Sequence, residues 1–433
     1  MKRRQKDSSR SCSLKQYVVV AAALAFLFLA AVGAAQGQSF QVLHTFTGGA
    51  DGSIPGTNLV MDHRGNLYGT TQQNPQGFGE VFELTKHGSS WVLSTLYVFA
   101  GGDGSGPSGL MMGSDGSLYG TNTYGGHHEA GTVFRLTPPA NACKSATCHW
   151  SFTKLYDFTG KDDGGAPFGQ LVEQNGNLYG TTLYGGNPPN GCETGAGCGT
   201  VYELSPTQGG WTETVLYNFR TTPDGWWPYT GVILDPAGNL YGTTYAGGTH
   251  NNGTVYELSP SASGWTETIL HSFGAFGGDG RLSFSTLARD NAGNLYGGTN
   301  MGGAFNLGTI FSLSPSNGSW TESVLNSFDY TYSDGEPKYG SLIMDAAGNL
   351  YGTTPGQGGS PGAEQYFGNA FMMTPSSGGW TYINLHTFTC GADGGEPFST
   401  PIMDSEGNLY GTSSIGGEGC FENGYGTVWE ITP

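Results

Sequence analysis

The stretch Gly65-Asn66-Leu67-Tyr68-Gly69-Thr70-Thr71 returns, with small variations, around Tyr119, Tyr179, Tyr241, Tyr296, Tyr351 and Tyr410. Seven copies spaced 51 to 62 residues apart make the 433-residue chain a repeat array, which can form one domain at this length. Each repeat holds four strand-like segments. The first is short, as in Leu59-Val60-Met61-Asp62, and follows an Asp-Gly and usually a proline. The second is the quoted heptapeptide, preceded by a Gly-Asn step suited to a tight hairpin. The third is Gly-Thr-Val-Tyr-Glu-Leu-Ser-Pro, as at 199–206, and the fourth runs from a tryptophan to a phenylalanine, as at 211–219. No interval shows a helical period. The expected fold is therefore all-β: a seven-bladed β-propeller with four antiparallel strands per blade. A parallel β-helix would need a shorter period and no hairpins within the unit.

The phase of the repeat sets how the ring closes. The segment Leu43-His44-Thr45-Phe46 matches Leu385-His386-Thr387-Phe388, a fourth segment, while the chain ends on a third segment at 426–432. The last blade is thus expected to take its outermost strand from the N-terminus, which leaves no open sheet edge.

Residues 1–16 hold six basic side chains, and an apolar run from Tyr17 to Val32 is followed by Gly33, Ala34 and Ala35. This reads as a signal peptide over 1–36, with the propeller over 37–433, secreted or periplasmic and without a membrane span after cleavage. Losing 1–36 removes six of 16 basic residues and one of 34 acidic ones, so the mature chain carries −23. That charge excludes phosphate-backbone binding and anionic membrane surfaces, so no nucleic-acid partner is expected. Cys12 leaves with the signal, and the six remaining cysteines are expected to form disulfides. Cys143–Cys148 and Cys192–Cys198 are close pairs in sequence, and Cys390 and Cys420 flank the last blade on one face.

These motifs resemble the Gloeo/Verruco tandem repeat, with its Asn-Leu-Tyr-Gly-Thr-Thr core, a following Gly-Gly and Gly-Thr-Val-Phe, over nearly all of residues 39–433. The resemblance implies an exported bacterial propeller; it brings no catalytic residues. Members of this family often end in a surface anchor, and with none here a soluble, monomeric protein is expected. The segment order is also similar to NHL-type propellers, which implies that the first segment is innermost and the tryptophan segment outermost.

Features present in every unit are expected to build blades, and features that break the repeat are expected to serve function. The Asp-Gly pairs at Asp51, Asp103, Asp163, Asp224, Asp279, Asp334 and Asp393 could line a channel mouth and hold Ca²⁺. Turn chemistry is the stronger reading of them, and no cofactor is expected on their account. Likewise the repeated tyrosines and tryptophans are read as inter-blade packing. The departures from the repeat lie in loops expected to share one face. Trp226 and Trp227 are adjacent, with Tyr229 beyond; Tyr330 and Tyr332 lie two blades on; Tyr124, Tyr184 and Tyr245 sit near Gly-Gly steps. Exposed rings beside amides suit a glycan, so the favoured function is a non-catalytic propeller that binds an extracellular glycan or cell-surface component. The alternative is a polysaccharide lyase or hydrolase, with His127, His128, Glu129 and His250 as acid, base or divalent-metal ligands.

Overall fold

The computed structural model describes residues 38–56, 58–139, 150–187, 192, 197–329, 341–356, 367–420 and 424–432. The signal segment, the Cys143–Cys148 pair and Tyr330 and Tyr332 lie outside the described residues. Among the described residues there is no helix; seven four-stranded antiparallel sheets form a seven-bladed propeller. Blades are numbered in chain order. Blade 4 contains Ile233–Leu234, Leu240–Thr244, Thr254–Ser261 and Gly264–Ser272; blade 5 contains Ala288–Arg289, Leu295–Thr299, Thr309–Ser316 and Ser319–Ser327. In each the quoted heptapeptide is the second strand, paired with the third, which in turn pairs with the outermost, tryptophan-bearing strand. Blade 7 combines Ile402–Met403, Leu409–Ser413 and Thr427–Thr432 with Ser39–Thr45 from the other chain end. The Phe46 N–H donates to the Gly426 carbonyl at 3.0 Å and extends that closure.

Each position of the heptapeptide has a physical task. The leucine is fully buried in the blade interface; Leu67, Leu240 and Leu350 are all 0 % exposed. The tyrosine reaches the next blade, where its ring meets the tryptophan of the outermost strand. The pairs Tyr68–Trp150, Tyr119–Trp211, Tyr179–Trp265, Tyr241–Trp320, Tyr296–Trp380 and Tyr410–Trp91 have centroids 5.8–6.5 Å apart, edge to face. Its hydroxyl donates to the aspartate that ends the innermost strand, as Tyr241 does to Asp235 and Tyr351 to Asp345. Gly69 must lack a side chain, because a Cβ there would collide with the Phe82 ring. The first threonine donates to the segment that leads into the next blade's innermost strand, Thr181 to the Thr230 carbonyl at 2.7 Å and Thr353 to that of Ser399 at 2.9 Å. The second binds a threonine of its own third strand, Thr182 with Thr200 and Thr244 with Thr254. One heptapeptide therefore holds its blade together and fastens it to the next.

A second aromatic ladder runs through all seven seams. The phenylalanine after each outermost strand packs on an aromatic of the next blade's third strand. The pairs are Phe46–Phe82, Phe99–Phe134, Phe158–Tyr202, Phe219–Tyr256, Phe273–Phe311, Phe328–Phe371 and Phe388–Trp429, at 5.1–5.8 Å. Both members of every pair are buried to within 2 %.

The Asp-Gly aspartates do not converge on the channel. Asp51, Asp103, Asp163, Asp224, Asp279 and Asp393 are each bound to a tyrosine or histidine of the preceding outermost strand: His44, Tyr97, Tyr156, Tyr217, His271 and His386. Asp334 lies outside the described residues. At four seams a glutamate shares the site: Glu80 beside Asp51, Glu213 beside Asp163, Glu267 beside Asp224 and Glu322 beside Asp279. Burial first, and the neighbouring aspartate second, pushes each glutamate up to about 7. A carboxyl raised on folding stabilises the native state fully below its unfolded value and loses that contribution as pH rises through its folded value. Stability should therefore fall between pH 5 and 8. The hydrogen-bonded Asp235, Asp345 and Asp393 are held below the carboxylate range and oppose acidification below pH 4. Melting temperatures measured across this range in chelator should decline toward pH 8, less so in Glu213→Gln/Glu267→Gln; a flat or rising profile would contradict the assignment.

Candidate ligand site at the channel mouth

Loops that link blades and loops that join second to third strands share one face. The N–H groups of Gly126, Gly186, Gly248, Gly303 and Gly417 donate to carbonyls of Gly101, Lys161, Asp224, Asp279 and Gly391 in the preceding links. On this face five of the described innermost strands enter through one unusual residue. Ile54, Ala166, Trp227, Leu282 and Glu396 have φ of 51–59°, a left-handed conformation costly for side chains with a Cβ. Each is held in it from outside. Their N–H groups donate to Tyr425, Ala130, Cys198, Asn252 and Phe367 of the preceding blades. Four of the carbonyls accept from their own blades, at Gln72, Tyr245, Asn300 and Ser414.

Two residues beyond this turn, the chain faces the centre of the ring. The positions are Gly56, Ser108, Phe168, Tyr229, Phe284 and Phe398, all lining a central cavity of about 410 Å³. Four aromatics thus form a collar in a lining that also holds neutral polar groups, among them Asn58, Gln170, Thr230, Thr286 and Ser341. Among the described lining residues Glu396 is the one carboxylate. The collar continues outward as an aromatic wall. Phe168 meets Tyr229 at 6.2 Å, Tyr229 meets Phe284 at 4.8 Å, and Tyr245 touches both Tyr229 and Phe284 at 5.6 and 4.7 Å. Trp227 lies 6.2 Å beyond Tyr245.

The structure gathers several of the expected binding residues here: Tyr229 in the collar, Tyr245 and Trp227 in the wall. Tyr184 is half-buried and Tyr124 is 58 % exposed. Burial raises the Tyr184 and Tyr229 phenols, and Tyr124 adds to both, so the three stand within electrostatic reach. Trp226 differs from expectation. It is 4 % exposed, pairs in a short ladder with Ala246, and donates its indole N–H to Asn251 at 3.3 Å. The loop carrying Asn251 covers it, so it supports Trp227 at 4.5 Å and offers no open stacking face. Phe168, Phe284 and Phe398 were not singled out from sequence. The signal that finds Phe168 and Phe398 is the register: the residue after the entry proline varies between blades while its surroundings repeat, and Phe284 holds the same register after Ser283.

The expected metal-ligand set is not assembled. His127, His128, Glu129 and His250 are all exposed on loops of blades 2 and 4, and no contact joins His250 to the others among the described residues. His127 instead binds Asp157 through Nδ1 at 2.6 Å, beside the Lys154 ammonium at 3.0 Å. Burial works against the Asp157 carboxylate, but hydrogen bonds from Lys154 and His127 outweigh it and hold its pKa below the usual range. A cation already fills the place a metal would take. The cysteines do pair, as Cys192–Cys198 and Cys390–Cys420. Both disulfides brace loops of the face that carries the collar.

A model of the Gloeobacter/Verrucomicrobia repeat matches residues 34–193, 143–287 and 191–429. No curated protein matches the sequence. Among solved structures, the extracellular domain of a hybrid two-component system from B. thetaiotaomicron is similar over 91 % of this chain, at 12 % identity and a TM-score of 0.50. The chain spans 41 % of that protein's length. A luciferin-regenerating enzyme aligns over 92 % of this chain and 96 % of its own, at 12 % identity and a TM-score of 0.44. The PQQ-bound aldose sugar dehydrogenase of Streptomyces coelicolor aligns over 78 % of this chain and 96 % of its own, at 12 % identity and a TM-score of 0.45.

Proposed function

This chain belongs to the Gloeobacter/Verrucomicrobia repeat family, and from that premise we propose an exported, non-catalytic propeller that binds a neutral extracellular glycan at its channel mouth. The observation that carries the reading is the collar. Phe168, Tyr229, Phe284 and Phe398 bring aromatic rings to a lining that also holds amides and hydroxyls able to donate and accept. That combination matches a sugar ring, whose axial C–H faces stack on aromatics while its hydroxyls seek amides. The cavity volume falls within the ~300–1,000 Å³ typical of small-ligand sites. A mature charge of −23 repels polyanionic substrates, which weighs against a uronate-cleaving lyase. Glycosidic hydrolysis calls for two facing carboxylates, and the described lining supplies Glu396. The His127 cluster stands on an exposed loop and not in the cavity. Export is supported by the basic and apolar start of the chain and by two disulfides, which persist in oxidising compartments. Among the described residues no helix is long and apolar enough to cross a membrane.

A panel of neutral oligosaccharides tests the reading. Tyr229→Ala/Phe284→Ala should lose at least about ten-fold in affinity for any oligosaccharide bound, since each stacked ring contributes on the order of 1 kcal/mol. Binding that survives the double substitution would remove the site. Cleavage of the bound sugar would replace binding with catalysis.

A further inference from the structure

Among the described residues, one seam between outermost strands brings together a histidine, an aspartate and a glutamate. At three consecutive seams a glutamate of the following blade faces an aspartate of the blade link. The three are Glu213 with Asp163, Glu267 with Asp224, and Glu322 with Asp279. At the first two, a tyrosine hydroxyl donates to the aspartate, Tyr156 to Asp163 at 3.1 Å and Tyr217 to Asp224 at 2.9 Å. At the seam of blades 4 and 5 the tyrosine is replaced by His271, whose Nε2 lies 3.3 Å from Asp279 Oδ2. A ligand atom from each of His271, Asp279 and Glu322 lies within 4.8 Å of the other two.

Two further observations set this seam apart. The Asp279 side chain is wholly removed from solvent and the His271 side chain is 13 % exposed. Both Glu322 carboxylate oxygens are buried with no hydrogen-bond partner among the described residues, whereas Glu213 and Glu267 each leave only Oε1 so. Two buried carboxylates within 4.8 Å of each other repel, so the pair needs a proton or a cation between them. The aspartate is held in place beforehand, because its Oδ2 accepts the N–H groups of Gly274 and Ala275 at 2.8 Å. Imidazole offers a lone pair where the phenols of the sister seams offer only a proton donor already engaged.

We propose that His271, Asp279 and Glu322 form a binding site for a divalent transition ion, Zn²⁺ or Mn²⁺, that ties blade 4 to blade 5. One nitrogen and two carboxylates suit such ions; Ca²⁺ prefers six to eight oxygens. The ligands come from two different outermost strands and the link between them, so the ion acts as a clasp across the seam. Three protein ligands leave further positions to water.

Chelator-treated protein in metal-free buffer, titrated calorimetrically with Zn²⁺ or Mn²⁺ alone, tests this. One equivalent should bind and raise the melting temperature by several degrees, roughly as expected for a ligand specific to the native state. His271→Tyr installs the residue that the two preceding seams carry, so folding should persist while affinity falls at least about ten-fold. Glu322→Gln should do the same, and His127→Ala/His128→Ala should leave binding unchanged. No uptake by the unsubstituted protein would overturn the site and leave the two acids sharing a proton. Uptake that survives His271→Tyr, or that is lost with His127 and His128, would overturn it as well.

Discussion

Removal of residues 38–46 should abolish cooperative folding or lower the melting temperature by tens of degrees, although the deleted segment is a small part of the chain. The strand carries Phe40, stacked on His386 at 3.8 Å, Leu43 at 8 % exposure, and Phe46 at 0 % and 5.4 Å from Phe82. Burial of Leu43 and Phe46 contributes about 1.5–3 kcal/mol each and the partly buried Phe40 adds to it, a large share of the whole stability of a typical domain, about 5–15 kcal/mol. The loss also exposes the edge of Thr427–Thr432 and takes Phe46 away from Phe82. In an open array, trimming one end would fray one repeat and leave the others intact. In a closed ring the same cut opens the circle. Thermal unfolding of the truncated protein, followed by circular dichroism, checks it, and an unchanged transition would mean that the two chain ends do not share a blade.

Phe273→Ala should cost about 3–5 kcal/mol, the usual range for a fully buried phenylalanine truncated to a methyl group. Phe273 is 0 % exposed and bridges blade 4 to blade 5 through Phe311 at 5.1 Å. The cavity would open at a seam where few groups can relax, because the rings on both sides are themselves parts of the same ladder. By comparison Val92→Ala, at 47 % exposure, should change stability by under about 0.5 kcal/mol. Denaturant unfolding of the two variants measures the difference, and equal midpoints would remove the aromatic ladder as a main source of ring stability.

Much of this architecture can be read from the chain because a repeat averages out local ambiguity. The strand order, the blade count and the borrowed strand all follow from Gly-Asn-Leu-Tyr-Gly-Thr-Thr and its phase. The packing role of Tyr68, Trp150 and their equivalents is legible for the same reason. The candidate site is less so. Trp226 looks like an exposed indole because nothing in Asp224-Gly225-Trp226-Trp227 reveals that Asn251 covers it from another loop. Phe168 and Phe284 carry no local sign of facing the channel, because the left-handed turn before each rests on hydrogen bonds from neighbouring blades. His271, Asp279 and Glu322 span a blade boundary, and no local pattern predicts that their side chains meet. Repetition tells where backbone goes; it does not tell which side chains the closure of the ring brings together.

The collar at positions 168, 284 and 398 is the centre of the functional account, and fluorine-labelled phenylalanine reads it directly. With an oligosaccharide identified from the neutral panel, the ¹⁹F resonances of Phe168, Phe284 and Phe398 should shift on saturation, while that of the seam residue Phe273 stays in place. Saturation with no shift at the three collar positions would place the ligand elsewhere on the protein and contradict the account.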